Sequence, residues 1–475
     1  MSSIFSKFPK TFWTANTIEL IERFAWYGFF MLFANYLTQS TDVGALGFTQ
    51  SQKGWIMGVG TGILYFLPLI TGSIADKYGY KKVLAVAFVI YTSAFILLPM
   101  VSSFAGVFAM YLYLALGAAL FKPIISATVA KTTNPENSSI GFGIFYMMVN
   151  LGAFFGPMVT LALKDGSSYD IVFHVSAIIV ALNFIMLFFY NEPERETKKE
   201  SFAQSMKTVF GNIGEALKDY KFVIFLILVA GFWAMYNQLF YTLPVFITQW
   251  VDTSVVYEFL NGVSPWITDT YGHAGQMEAE FITNFDAMFI ILFQIAVSTL
   301  VMRWKPLNTM MTGFLVCAMG MALTLFTQNV MFTIGAIFIF AIGEMAGSPK
   351  ITEYIGRIAP KDKIALYMGC SFIPVFIGNL GAGFISGDVY GAMSDKAVLV
   401  KRALAERGLE VADGLTKNEV FAKAGELMNM SERELTDYLW TTYHPSNIWM
   451  VIFGIGLLAT VGLFVYDKLL LKENK

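Results

Sequence analysis

The chain has 475 residues, of which 56% are hydrophobic and 14% charged, with a formal net charge of −2. Soluble domains carry about 25% charged residues, and the mean hydropathy here is +0.59, so an ordinary soluble domain is excluded. The near-zero charge argues against a nucleic-acid partner, and the expectation is an all-α integral membrane protein whose surroundings are the lipid bilayer.

A bilayer-crossing helix needs about 20 mostly apolar residues. By that criterion the chain is predicted to cross at 12–38, 53–75, 82–101, 105–130, 139–163, 169–190, 221–249, 282–302, 309–327, 329–357, 363–387 and 446–469. The first run reads Glu19-Leu20-Ile21-Glu22-Arg23-Phe24-Ala25-Trp26-Tyr27-Gly28. Residues three and four apart share a helix face, which puts Glu19, Glu22, Arg23 and Tyr27 together. Ionisable groups inside a span are costly and usually functional. One Arg neutralises one carboxylate, leaving the other able to take a proton; the alternative is a buried Glu–Arg pair that only holds helices together. The N-terminal run is too long and too charged for a cleavable signal peptide.

The polar stretch 191–220 divides the spans six and six, into an N-terminal bundle 1–190 and a C-terminal bundle 221–475. Two such halves rocking about a midplane site is a layout of secondary transporters. Lys and Arg mark the cytoplasmic side of short loops. Lys7, Lys10, Lys77, Lys81, Lys82, Arg195, Lys198, Lys199, Lys207, Lys218, Arg303, Lys305, Arg357, Lys361, Lys363, Lys468, Lys472 and Lys475 all fall on one side of a twelve-span chain. Both termini are therefore expected in the cytoplasm, in the inner membrane if the cell is bacterial. Two outer loops are long: 250–281, which has no Lys or Arg, and 388–445, whose helical periodicity predicts a small extracytoplasmic cap.

Lys122 is an ammonium in an apolar helix and needs an anion, from a substrate or from a fixed salt bridge to Glu22. Leu67-Pro68, Phe121-Lys122-Pro123 and Ile373-Pro374 permit bends. Cys317 and Cys370 lie in apolar segments, and His174, His273 and His444 are far apart, so no disulfide framework or metal site is expected. No Gly-rich loop ends in Lys-Ser or Lys-Thr, so ATP is not the expected energy source. No nucleophile and base constellation stands out, and an enzyme is not expected.

Gly72-Ser73-Ile74-Ala75-Asp76-Lys77-Tyr78-Gly79-Tyr80-Lys81-Lys82 resembles the signature loop of the major facilitator superfamily. The resemblance implies a twelve-helix fold and gives Asp76 and Lys77 a part in conformational switching. Four further stretches are similar to the proton-dependent oligopeptide transporter family. They are Glu19-x-x-Glu22-Arg23-Phe24 with Tyr27-Gly28, Phe121-Lys122-Pro123-x-Ile125-Ser126, Phe145-Tyr146-Met147-x-x-Asn150-x-Gly152-Ala153, and Gly343-Glu344-Met345-x-x-Ser348-Pro349. This resemblance implies a proton-coupled importer of di- and tripeptides, with protons as the coupling ion and no cofactor, working as a monomer. It gives proton coupling to Glu19, Glu22 and Arg23. It places Tyr27, Tyr65, Lys122, Asn150, Asn237 and Glu344 around the substrate, with Lys122 facing a carboxylate and Glu344 an ammonium.

The sequence departs from that pattern at Phe30, where the family has Arg, and at Asn237, where it has an acid. Ile124 and Ser371 replace the family's Asn and Trp, and the linker is too polar for two extra helices. Carboxylate capture then rests on Lys122 without a guanidinium fork. The alternatives are another small zwitterion or organic anion as substrate, or a receptor-like protein that does not transport.

Overall fold

The computed structural model describes residues 8–134, 136–164, 168–194, 202–325, 327–360 and 363–470. Among the basic residues used above for orientation, Lys7, Arg195, Lys198, Lys199, Lys361, Lys472 and Lys475 lie outside the described residues. Among the described residues, nine helices are long and apolar enough to cross a membrane. A tenth is the pair Gln50–Phe66 and Pro68–Tyr78, bent by 43° at the expected Leu67-Pro68 step. Two more complete the twelve, one missing the length criterion and the other the apolar one. Pro306–Ala322 has 17 residues. Lys10–Thr38 is long enough at 29 residues but carries Lys10, Glu19, Glu22 and Arg23.

The first six spans are Lys10–Thr38, the bent pair, Tyr80–Leu97, Phe104–Lys131, Ser138–Leu163 and Asp170–Phe189. The helix Phe202–Ala216 follows in the linker. The expected seventh span is broken into Tyr220–Tyr236, Gln238–Tyr241 and Leu243–Trp250, the last opening on Pro244, which lacks the N–H a continuous helix needs. The remaining spans are Ala279–Thr283 running on into Phe285–Val301, then Pro306–Ala322, Val330–Ile358, Ile364–Gly369 with Ile373–Phe384, and Ile448–Val465. The stretch 388–445 forms the expected cap from Lys396–Glu406, Lys417–Met428 and Glu432–Tyr443, the last two begun by Ser/Thr–Glu capping boxes. The stretch 250–281 contains Ser254–Val263, Pro265–Tyr271 and a two-stranded hairpin pairing Gly272 with Met277.

Within the first half, the first span packs on the fifth and sixth; within the second, the tenth packs on the eighth and ninth. The halves meet at the end of the bundle that carries the cap. There Asn35 Nδ2 donates to Glu280 Oε1 at 2.8 Å and Lys53 Nζ to the Tyr241 carbonyl at 2.8 Å. Tyr241 Oη in turn donates to the Met57 carbonyl at 3.0 Å, and Asn284 Nδ2 to the Phe154 carbonyl at 3.0 Å. From the cap, Lys417 Nζ reaches the Thr38 and Phe48 carbonyls at 2.7 and 2.8 Å. The second and eleventh spans cross backbone to backbone. A Cβ on Gly54 would sit 2.2 Å from the Gly383 carbonyl oxygen, and one on Gly58 2.8 Å from Gly383 Cα. Gly54 and Gly58, like Gly383 and Gly387, are four apart, the small-residue spacing that lets membrane helices touch.

At the opposite, linker end, the helix Phe202–Ala216 bridges the halves. It packs on Pro68–Tyr78 and on Ile364–Gly369, and Glu215 pairs with Lys363 at 2.9 Å. That bond, and the Lys363 charge behind it, hold the Glu215 carboxyl below its ordinary range.

Candidate functional site

Glu22, Lys122 and Glu344 sit at mid-depth. Glu22 is twelve residues after Lys10, Lys122 nine before Lys131 and Glu344 fourteen before Ile358. At 1.5 Å per residue that is roughly 13–21 Å from the linker end, near the middle of a ~30 Å bilayer core.

Glu19, Glu22 and Arg23 are all buried, Glu22 completely. Arg23 Nη2 lies 2.5 Å from Glu22 Oε2, and Arg23 Nε 3.2 Å from Glu19 Oε1. Glu22 Oε1 accepts a bond of 2.7 Å from Tyr91 Oη on the third span. Both oxygens of Glu22 are thus served, whereas Glu19 holds one longer contact. Gly152 explains how Arg23 is shut from water. A Cβ there would stand 2.6 Å from Arg23 Cβ, so only glycine lets the fifth span press against this turn. Withdrawing each ion from water costs several kcal/mol unless it is paired. One guanidinium shared by two carboxylates leaves a negative charge on Glu19, within electrostatic reach of Lys122, that a proton removes.

Lys122 does not form the fixed salt bridge to Glu22 that the sequence left open, because Glu22 is occupied by Arg23 and Tyr91. Its Nζ instead lies 3.9 Å from the centroid of the Tyr65 ring, and no carboxylate of the described residues comes within ion-pair distance. A cation–π contact is worth about 0.5–2 kcal/mol, less than an ammonium loses on burial. Lys122 is the wall's open positive charge.

Across from it, Glu344 accepts a 2.8 Å bond from Tyr236 Oη at Oε1, while its buried Oε2 has no partner. Trp233 Nε1, one turn before Tyr236 on the seventh span, is also buried and unpartnered. Tyr27 lies within electrostatic reach of Arg23, Tyr65, Tyr146 and Glu344, which ties the two halves into one site. Tyr146, from the first half, lies within electrostatic reach of Glu344 and Asp286 and is 42% exposed. Hydrogen bonds between the halves cluster at the cap end, and at mid-depth Phe66 of the first half still meets Phe376 of the second with ring centroids 5.4 Å apart.

Two residues expected around the substrate are turned onto their own helices. Asn150 Nδ2 donates to the Tyr146 carbonyl and Asn237 Nδ2 to the Trp233 carbonyl, each at 2.8 Å. Asp76 accepts from Tyr80 Oη at 3.1 Å, and Lys77 Nζ lies 5.5 Å from the Tyr78 ring. The amides of Tyr80 and Lys81, which open the third span, are taken by the Glu192 carboxylate. Sequence reasoning missed Tyr91, Trp233, Tyr236 and Asp286. Only Asp286 carried a signal: an acid inside a predicted span with no basic residue nearby in sequence.

The sequence profile of the Major Facilitator Superfamily matches residues 17–384. An uncharacterised MFS-type transporter, YqjV of Bacillus subtilis, is 24% identical over 361 residues, 73% of this chain and 80% of that one. A di-/tripeptide transporter of Lactococcus lactis subsp. lactis is 26% identical over 175 residues, 36% of this chain and 35% of that one, about a third of its length. Among solved structures, a POT family transporter in complex with a thioalcohol-conjugated peptide superposes with TM-score 0.70 at 18% identity, over 99% of each chain. Another POT family transporter, in complex with 5-aminolevulinic acid, superposes with TM-score 0.69 at 17% identity, over 98% of this chain and 100% of that one.

Proposed function

Because the chain belongs to the Major Facilitator Superfamily, we propose that it is a proton-coupled symporter importing di- and tripeptides by alternating access, like the oligopeptide transporters it resembles. The linker end is cytoplasmic in this reading, and the structure corresponds to the state open to the cytoplasm. The whole site is built within one chain, so a monomer suffices.

One observation carries the proposal. Lys122 stands on one wall without a carboxylate, and Glu344 on the other with an unpartnered oxygen. A cavity positive on one side and negative on the other suits a zwitterion, whose carboxylate meets Lys122 and whose ammonium meets Glu344. Glu19, the less satisfied carboxylate of the first span, is the proton acceptor. Its protonation cancels the surplus charge beside Arg23 and lets the halves rearrange around the loaded substrate. The empty carrier then returns with that carboxylate ionised and closed on Arg23. One proton moving down ~100 mV supplies about 2.3 kcal/mol, enough for roughly fifty-fold accumulation at 1.4 kcal/mol per decade.

A second reading keeps the mechanism and changes the substrate to another small zwitterion. Phe30 stands where the family has Arg and Asn237 where it has an acid, so one cation is left to grip a carboxylate. Counterflow separates the two. Proteoliposomes are preloaded in turn with dialanine, a tripeptide, single amino acids and 5-aminolevulinic acid, and exchange of the matching labelled solute and its inhibition by the others are measured. Inhibition by peptides over a range of side chains supports peptide transport. Exchange confined to non-peptide zwitterions, with none of dialanine or the tripeptide, overturns it in favour of the second reading.

A further inference from the structure

The cap is built as a rigid piece of the second half. Its three helices close on a core of their own, in which Leu399, Leu404, Ala424, Leu435 and Leu439 are each at most 2% exposed. That piece is fixed to the end of the seventh span at two adjacent residues. Gln249 Nε2 donates to Asp395 Oδ1 at 2.8 Å, and Gln249 Oε1 accepts from Tyr390 Oη at 2.8 Å and from the Lys396 amide at 3.2 Å. Trp250 Nε1 donates to the Ser394 carbonyl at 2.9 Å, and its ring lies 6.1 Å from that of Trp440.

From this footing the cap reaches across to the turn that joins the first and second spans. Lys417 Nζ donates to the Thr38 and Phe48 carbonyls. Thr38 ends the first span, where the last carbonyls lack an intrahelical donor, and Phe48 precedes the capping residue of the second. Asn418 Nδ2 donates to Asp42 Oδ2 at 2.8 Å, the Asn418 amide to Ser40 Oγ at 3.3 Å, and Gln50 Nε2 to Asp395 Oδ1 at 3.2 Å. The turn that receives these bonds is itself tied, since the Leu46, Gly47 and Phe48 amides bond back to the Tyr36, Gln39 and Leu37 carbonyls. Two stiff parts, one from each half, are therefore joined directly. Parting of the halves at the cap end must break these bonds together.

We propose that the cap is a clasp: carried by the second half, it holds the turn 38–50 of the first half and must let go before the protein opens on the cap side. It favours the cap-closed form of the empty protein, adding to the crossing of the second and eleventh spans. The need to open on that side comes from the proposed symport, but the test uses no substrate.

That test reads how often the cap end opens in purified, substrate-free protein. Met57 of the second span is fully buried, and its carbonyl accepts from Tyr241 Oη of the seventh. A cysteine at this position meets a water-soluble maleimide only when the halves part. When closing outruns the reaction, the labelling rate follows the open fraction. In Met57→Cys protein, Lys417→Met raises that rate about 12-fold or more, the equivalent of 1.5 kcal/mol for a hydrogen bond from a charged group. The native Cys317 and Cys370, both buried, supply the background, and their rate does not rise. Asn418→Ala, on an exposed residue, moves the Met57→Cys rate in the same direction and decides the matter if Lys417→Met does not fold. An unchanged rate in the folded variants overturns the clasp, and so does a rise shared equally by the native cysteines, which is general unfolding. Failure of the wild type to take up dialanine contradicts the transport reading and leaves the labelling result standing.

Discussion

The contact between the second and eleventh spans sets the state seen here, and Gly54→Ala tests it. The new Cβ would stand 2.2 Å from the Gly383 carbonyl oxygen and 2.8 Å from Gly387 Cα. An ordinary contact is at least ~3.4 Å, so the backbones must part by about 1.2 Å, the difference between 3.4 and 2.2. Overpacking of this kind costs about 1–3 kcal/mol, paid only where the cap end is closed. At 1.4 kcal/mol per decade the ratio of cap-closed to cap-open molecules falls about five- to 150-fold. Spin labels on exposed Ser102 in the first half and Glu410 in the cap report the change by double electron–electron resonance. The expected result is a new population at longer distance, absent from the wild type. A folded Gly54→Ala protein with the wild-type distribution would mean that this crossing does not hold the cap end shut.

Three further outcomes are expected. Glu19→Gln abolishes net uptake driven by a proton gradient while labelled dialanine still exchanges, because the empty carrier cannot return with an ionised carboxylate on Arg23; gradient-driven uptake in this variant refutes the assignment. Lys122→Gln weakens dialanine binding by about 12- to 150-fold, the equivalent of a charge-assisted hydrogen bond of 1.5–3 kcal/mol. Its melting temperature stays near wild type because Lys122 holds a ring rather than a carboxylate, whereas a drop of many degrees would reveal a structural ion pair. The third concerns pH. Bonds from Ser40 and Asn418 hold the Asp42 carboxyl below its ordinary value of 3.8. A depressed carboxylate contributes fully above the unperturbed value and loses its contribution only as pH falls through the depressed one. The Asp42–Asn418 contact is therefore constant between pH 5 and 8, and Asp42→Asn leaves the pH profile of uptake unshifted.

Much of the fold was readable because a span declares itself by about 20 apolar residues, whatever it packs against. The bend at Pro68 and the cap helices after Lys396 followed from Pro chemistry and helical periodicity in the same local way. The first span was readable for the opposite reason: Glu19, Glu22 and Arg23 spoil its apolarity, and that cost marked them as candidate site residues. Partners were not readable. Tyr91 reaches Glu22 from 69 residues away, and Tyr236 reaches Glu344 from 108. Nothing in a tyrosine's own surroundings distinguishes a hydrogen-bond donor to a buried acid from a packing ring. Asp286 was legible as an acid inside the predicted eighth span, but nothing in the sequence tied it to Glu344 on the tenth. The break of the seventh span at Asn237 and Thr242 was likewise concealed in a run apolar enough to be one helix.

The most direct test of the account is accumulation of labelled dialanine in proteoliposomes, with and without an inward proton gradient and a negative interior. Uptake above equilibrium is expected only when the proton gradient or the negative interior is imposed, with collapse when a protonophore is added. Dialanine that merely equilibrates at the same rate with and without the gradient, in folded protein, would contradict proton-coupled symport.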